Sequence, residues 1–269
     1  AFFASLNLYL NNRAFKSAEV HDLRMAFEEV SGQDLNWFFN QWFLDKGHPI
    51  LEVNWNYVGD SLLLNVSQVQ PLNQPTFKLP VDVDVYFSGK VERKKIWISK
   101  RKETFVFENL EGVEAVNFDA DKVLLVELNQ TLTPDEALVL FKESDNYRTK
   151  LEAMLKVVRD TSLTTWELMR LASNDDFDSF RKLSFYFSAN MEYAKTEENK
   201  SYLIDKYKKD SSSDVRVAVV STLYNIWSED SNLISFYKDA LSDSSVNVKL
   251  TALDIINVLA REDALLRAY

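Results

Sequence analysis

Along this chain, the spacing of apolar residues switches from the period of a helix to that of a strand and then back. In residues 1–48 the apolar side chains recur every three or four positions, as on one face of an α-helix. From residue 50 to about 130 they alternate with polar residues, as in strands with one buried face. Beyond that point only helical spacing returns. The sequence therefore predicts a multidomain α and β fold that begins with a short helical segment.

The first helical segment carries more apolar surface than it can cover by itself. One predicted helix has four apolar residues on a single face, at spacings of three, four and three: Val20, Leu23, Phe27 and Val30. Gly32 follows at the position that ends a helix. A second helix is predicted over Leu35–Trp42, and it is apolar on most of its circumference. Since such a helix needs partners on several sides, we expect a neighbour that residues 1–48 do not supply.

The alternating region predicts about six or seven short strands, which suits an antiparallel β-sandwich over residues 50–130. Ser88-Gly89 predicts a hairpin turn between two of them, and Val123–Val126 is predicted as part of the last strand. The basic run Arg93–Lys95 belongs to another strand. We interpret it as an exposed edge, where charges discourage pairing between sheets.

The final region contains a repeat of 33 residues. Asp210-Ser-Ser-Ser-Asp-Val215-Arg216 recurs as Asp243-Ser-Ser-Val-Asn-Val248-Lys249, and a fainter copy begins near Asp175 and places Phe180-Arg181 in the Val-Arg positions. Helix pairs joined by a short Asp/Ser-rich loop resemble HEAT-type repeats, which stack into a solenoid. The sequence thus predicts an all-α HEAT-like superhelical solenoid over residues 131–269.

The beginning of this helical region has its own signals. Thr133 is a candidate N-cap, and Pro134 follows at the first helical position, where its missing N–H costs nothing. We therefore predict that the first helix of the solenoid starts at Pro134.

Composition excludes several classes of partner. Acidic residues outnumber basic ones by 41 to 31, giving a net charge of −10, which repels phosphate backbones and anionic lipids. We therefore expect no nucleic acid and no membrane as partners. The chain has no cysteine, so a metal could be bound only through His, Asp or Glu.

The stretch from Glu19 to Val53 resembles the end of the thermolysin-like catalytic domain in the aminopeptidase N family of zinc metallopeptidases. That family has a Glu-x-x-Ser-Gly-x-x-Leu turn, found here over Glu28–Leu35, and then a Phe-rich helix that ends in Trp. A Gly-Tyr-Pro element follows, and His48 replaces its Tyr. Phe77-Lys-Leu-Pro80-Val81 resembles a strand entry in the family's β-domain. The resemblance implies three parts: the end of the catalytic domain (1–49), a β-sandwich (50–130) and the HEAT-like domain (131–269).

The family binds zinc through a His-Glu-x-x-His helix and a downstream Glu, and none of these is present here. The two histidines, His21 and His48, lie in different predicted elements, and a zinc site needs three protein ligands. We therefore expect no catalytic residue, no metal ligand and no cofactor in this chain, and the substrate-binding residues are unknown. The resemblance implies that zinc belongs to a parent enzyme, a hydrolase that removes N-terminal residues from peptides.

On this reading the chain is the C-terminal part of an aminopeptidase, inactive alone, which encloses the substrate chamber and shapes peptide access. Its partner would be the missing catalytic domain of the same chain, and the exposed N-terminal helices could alternatively form a homodimer. The expected contact residues are Phe2, Phe3, Leu6, Tyr9 and Phe43. A non-catalytic HEAT-repeat scaffold or protein-interaction module is the alternative function. The compartment is left open between cytoplasmic and periplasmic or secreted.

Overall fold

The chain has a mixed α and β fold whose second half is helical, as the apolar spacing predicts. The structure, a computed structural model, describes the backbone of residues 1–266 and the side chains through Arg261. The chain divides into two compact units, and the boundary lies between Thr131 and Leu132. The finer division into domains 1–49, 50–130 and 131–269 stays a prediction, and residues 267–269 of the last one lie outside the described residues.

The N-terminal helices are short and end at the predicted signals. They are α1 (Phe2–Asn12), α2 (Val20–Ser31) and α3 (Asn36–Phe39), the last continued by a π-helical turn, Asn40–Leu44. Gly32 ends α2 with a φ of 68°, and its N–H donates to the carbonyl of Glu28 at 2.8 Å, which confirms the predicted C-cap. The single helix predicted over Leu35–Trp42 is therefore an α-helical turn followed by a wider π turn.

Seven strands form two sheets that share one apolar core in the described part of the chain. They are β1 (Ile50–Val58), β2 (Ser61–Gln68), β3 (Leu79–Phe87), β4 (Lys90–Ile98), β5 (Lys102–Phe107), β6 (Val113–Phe118) and β7 (Glu127–Gln130). The strand orders are β5-β2-β1-β7 and β4-β3-β6. Alternate residues of β2 and β3 point into the core, among them Leu62, Leu64, Val81 and Val83.

The hairpin between β3 and β4 forms at the predicted turn. Ser88 and Gly89 both have positive φ, at 50° and 70°, which is the conformation of a type I′ turn. Phe87 then pairs with Lys90 across it. Because β4 is an edge strand of its sheet, the basic run Arg93–Lys95 lies on a sheet edge, as predicted.

The prediction of a strand over Val123–Val126 is wrong. The carboxylate of Asp119 accepts hydrogen bonds from the backbone N–H groups of Val123 and Leu124, both at 3.1 Å, so these amides do not join a strand ladder. The last strand, β7, begins only at Glu127, and it pairs parallel to β1. The four-stranded sheet is therefore mixed and not purely antiparallel.

The second unit is built from helices connected by short loops. They are α4 (Pro134–Glu143), α5 (Tyr147–Lys156), α6 (Leu163–Ala172), α7 (Asp178–Ser188), α8 (Glu197–Lys209), α9 (Ser213–Trp227), α10 (Leu233–Ala240) and α11 (Val246–Leu266). Thr133 caps α4 in a capping box with Glu136, and Pro134 occupies the first turn, which confirms that predicted helix start.

The predicted repeat appears as a ladder of ion pairs between successive loops. Arg181 on α7 donates to the carboxylate of Asp210 at 2.8 and 2.9 Å. One repeat later, Arg216 on α9 donates to Asp243 at 2.9 and 2.8 Å. Lys150 on α5 forms the preceding rung with Asp175 at 2.9 Å. The Val-Arg positions predicted from the 33-residue offset therefore bind adjacent helix pairs together, while the assignment to the HEAT class stays a prediction.

The arginine rungs have the same local geometry. Arg216 also donates through Nη1 to the carbonyls of Asp210 and Ser211, in the loop that precedes its own helix. Arg181 does the same with the carbonyls of Asp175 and Asp176. Each guanidinium thus connects two consecutive loops, which fixes the spacing of the helix pairs.

Candidate functional site

The two histidines lie in separate places and form small surface contacts. His48 Nε2 lies 2.6 Å from Glu127 Oε1, at the point where β1 and β7 begin to pair. His21 Nδ1 lies 3.0 Å from Arg24 Nη2, one turn along α2. The structure therefore does not bring the two rings together.

The residues present do not fit a zinc ion. Zinc in proteins takes at least three side-chain donors from His, Cys, Asp or Glu. Among the side chains that the structure describes, through Arg261, no group of three such residues is close enough to hold a metal. The pair formed by His48 and Glu127 supplies two donors, and both side chains are about half exposed.

The main unusual feature of the first unit is an exposed apolar surface on its N-terminal helices. Each of α1, α2 and α3 buries a single residue: Ser5, Ala26 and Phe39. Phe3 is 83% exposed and Leu44 is 69% exposed. We name the exposed large side chains of this region the N-terminal apolar surface, which comprises Phe2, Phe3, Leu10, Phe15, Met25, Phe38, Phe43 and Leu44.

Of the five contact residues predicted from the sequence, Phe2, Phe3 and Phe43 are exposed, while Leu6 and Tyr9 are half-buried. The apolar face predicted on α2 is also open at its ends, since Val20 and Val30 are exposed. Several large exposed apolar side chains close together are typical of a surface that binds a partner, and not of one that stays in contact with solvent.

A chain of aromatic contacts holds this surface in a fixed arrangement. The ring of Phe2 meets that of Phe27 edge to face, with 5.5 Å between the centroids. Phe27 in turn contacts Phe39 at 6.4 Å, and Phe39 stacks on Phe43 at 4.8 Å. Since each ring limits its neighbour, α1, α2 and the π turn present their exposed side chains together.

The helix α3 and the π turn that continues it are anchored to the sheets by three contacts. Trp42 packs on Phe77 of the sheet core, with 5.4 Å between the rings. The side-chain amide of Gln41 both donates to the carbonyl of Lys78 at 3.0 Å and accepts from its N–H at 2.9 Å. Trp37 meets Trp97 at 5.5 Å, and the ammonium of Lys78 lies 4.9 Å from the Trp97 ring. These contacts connect the N-terminal apolar surface to the sheets.

A cleft of about 510 Å³ opens beside this anchor. Its lining is apolar apart from Lys78, and it includes Phe38, Phe43, Pro80, Val123 and Leu125. Two of these side chains, Val123 and Leu125, are strongly exposed. Such a lining suits the burial of an apolar partner and offers no pair of groups for proton transfer.

The helical unit has a separate cleft of about 430 Å³ between α6 and the start of α8. Arg170 lies in it, with its guanidinium 3.8 Å from the ring centre of Tyr202 and 3.4 Å from Asn199 Oδ1. Sequence reasoning missed this group because both partners lie about 30 positions further along the chain, on the next repeat.

No family model matches the chain, but it is similar to known proteins both in sequence and in fold. A stretch of 127 residues, 44% of this chain and 13% of the relative, is 26% identical to the puromycin-sensitive aminopeptidase of Caenorhabditis elegans. The fold is similar to that of Legionella pneumophila aminopeptidase A, solved in complex with aspartic acid, with a TM-score of 0.67 and 16% identity. That match covers 98% of this chain and 38% of the solved chain.

The chain therefore spans well under half the length of either relative that it matches. The structural match concerns the fold alone, and the sequence match concerns one stretch. Taken together, the sequence similarity and the shared fold support a relationship between this chain and the aminopeptidase family.

Proposed function

We propose that this chain is the C-terminal part of a zinc-dependent aminopeptidase, beginning with the end of its catalytic domain, and that its N-terminal apolar surface packs against the rest of that domain. The observation that carries the proposal is the exposed apolar surface on the N-terminal helices, and the Glu19–Val53 resemblance supports it. The comparisons support it, since both relatives are aminopeptidases. The zinc of such an enzyme activates a water molecule for attack on the first peptide bond.

In this proposal the chain supplies no group to the reaction. Residues 1–49 complete the body of the catalytic domain, because they cover its apolar residues with their own. The sheets over residues 50–130 support these helices through Trp37, Gln41 and Trp42. The helical repeats restrict which peptides reach the reaction centre, since stacked helix pairs offer a long continuous face to a peptide.

The binding part of the proposal can be tested with the separately produced catalytic domain of the parent protein. We expect the full chain to bind it, and the double variant Phe3→Glu, Leu44→Glu to lose at least about tenfold in affinity, because two charges would enter an apolar contact. Val106→Glu is the matched control, since Val106 is a comparably exposed apolar residue on β5. Calorimetric titration gives the affinities.

Three results would contradict the proposal. The first is a wild-type chain that does not bind the domain. The second is a dimer of the chain, seen by sedimentation, that Phe3→Glu and Leu44→Glu dissociate, since a second copy would then cover the surface. The third is turnover of an aminoacyl chromogenic substrate by the purified, zinc-loaded chain alone. A parent sequence without His-Glu-x-x-His upstream of residue 1 would favour the scaffold function instead.

A further inference from the structure

The repeats allow position-by-position comparison of the helices α7, α9 and α11. Phe180, Val215 and Val248 are equivalent and fully buried, and the ladder cation follows each of them. The three cations are Arg181, Arg216 and Lys249. If the burial or the partner of one of these equivalent residues differs, the repeats themselves therefore differ at that position.

The cation of α11 lacks the partner that its equivalents have. Arg181 and Arg216 each bind a buried aspartate in the next loop, 29 and 27 positions further along. Lys249 has a half-buried side chain, and within the described residues it forms no ion pair. The ladder thus ends with a cation that has no carboxylate opposite it among these residues.

The apolar packing changes at the same helix. Four positions after the ladder cation, Phe185 on α7 and Val220 on α9 are buried, at 2% and 0% exposure. The equivalent residue on α11, Leu253, is 43% exposed.

The flanking positions of the same face change in the same way. Lys182 and Val217 are half-buried, whereas the equivalent Leu250 is 52% exposed. Val246 stands where α7 and α9 carry polar residues, and it is also exposed. We name the exposed side of α11 formed by Val246, Lys249, Leu250 and Leu253 the α11 outer face.

We infer that the α11 outer face is a docking surface for one further helix pair of the same repeat type, whose loop carries an aspartate that pairs with Lys249. On α7 and α9 the equivalent face is covered by the next helix pair, and the equivalent cation is bound by an aspartate of that pair. The α11 outer face has the same two features, a row of apolar side chains that a partner could cover and a cation beside them. A helix pair with an acidic loop satisfies both. This inference does not depend on the proposed function.

The chain itself supplies a suitable probe. Residues 229–261 contain α10, the loop with Asp243 and most of α11, and they make one full repeat of 33 residues. Inserting a second copy of this segment directly after Arg261 extends the natural chain in register. The copied aspartate then follows Lys249 by 27 positions, the same separation that joins Arg216 to Asp243.

We expect the inserted pair to dock on the α11 outer face. Amide hydrogen exchange in α11 around Leu250 and Leu253 should slow by at least about tenfold relative to the natural chain, because docking removes local opening. Lys249→Met should leave the thermal midpoint of the natural chain nearly unchanged and should lower that of the extended chain by about 3–6 °C. Changing the copied aspartate to Asn is the matched control, and it should reproduce the loss caused by Lys249→Met.

Three results would overturn the inference. The first is an inserted segment that limited proteolysis removes without any change of exchange in α11. The second is a Lys249→Met effect on the thermal midpoint that is equal in both chains. The third is self-association of the natural chain that the double variant Leu250→Glu, Leu253→Glu abolishes and Phe3→Glu does not, because a second copy would then be the occupant. A natural chain that does not associate through α11, with protection in the extended chain, supports the inference.

Discussion

The N-terminal helices and the helices of the second unit are similar in apolar content, but they bury it to different degrees. Each of α1, α2 and α3 buries one residue, whereas α9 alone buries six. The helices of the second unit cover one another because each repeat brings the next one into contact. The N-terminal helices contact one another and, through α3 and the π turn, the sheets, and their large apolar side chains stay exposed. The difference shows that apolar spacing sets the direction of a helix face but not whether a partner is present to cover it.

The largest expected effect is the difference in stability loss between removing a buried phenylalanine of the second unit and an exposed one on α1. Phe141 on α4 is buried and packs edge to face on Phe180, with 5.5 Å between the rings, while Phe3 on α1 is exposed. We expect Phe141→Ala to lower the free energy of unfolding by about 3–5 kcal/mol, because it leaves a cavity. Phe3→Ala should change it by no more than about 0.5 kcal/mol. Urea unfolding followed by circular dichroism measures both, and equal losses would mean that α1 has a core of its own.

A smaller effect is expected at the ion-pair ladder. Arg216 is mostly buried with Asp243, whereas Arg148 on α5 is exposed and pairs with Glu152 one turn away. Arg216→Met leaves a buried carboxylate without its cation, so we expect a loss of about 2–4 kcal/mol. For Arg148→Met the expected loss is within about 0.5 kcal/mol, as for other exposed pairs. If thermal unfolding gave similar losses for both, the rungs would not bind the repeats together.

The smallest effect concerns acid stability. Hydrogen bonds from Arg216 hold the pKa of Asp243 at about 2, below the ordinary value of 3.8. Because the folded pKa is lower than the unfolded one, ionised Asp243 stabilises the fold above pH 3.8, and this contribution disappears as the pH falls through about 2. After allowance for solvent screening it amounts to about 1 kcal/mol. The difference in stability between wild type and Asp243→Asn should therefore shrink between pH 5 and pH 2, and a constant difference would contradict it.

The order of the elements and several of their ends could be predicted from the sequence because they depend on neighbouring residues. Gly32 can adopt the left-handed conformation that ends α2, and Thr133 can cap the helix that Pro134 begins. Ser88-Gly89 fits a tight hairpin for the same local reason. The offset of 33 also places Arg216 and Lys249 in equivalent positions, whereas the pairing of Arg216 with Asp243 is visible only in the structure.

Features that depend on distant contacts could not be predicted in this way. Val123–Val126 has the composition of a strand, but Asp119 takes two of its amides. The parallel pairing of β7 with β1 joins residues more than 70 positions apart, and no local pattern specifies it. The partner of the N-terminal apolar surface could not be predicted for the same reason. These residues show that the surface is exposed, but they do not include the residues that would cover it.

The rungs formed by Arg181 and Arg216 connect only consecutive loops, so coupling in the second unit runs in one dimension. A local opening at one loop weakens its two neighbours and then fades with distance, instead of melting the whole unit at once. Each repeat is therefore stabilised mainly by the repeats directly before and after it.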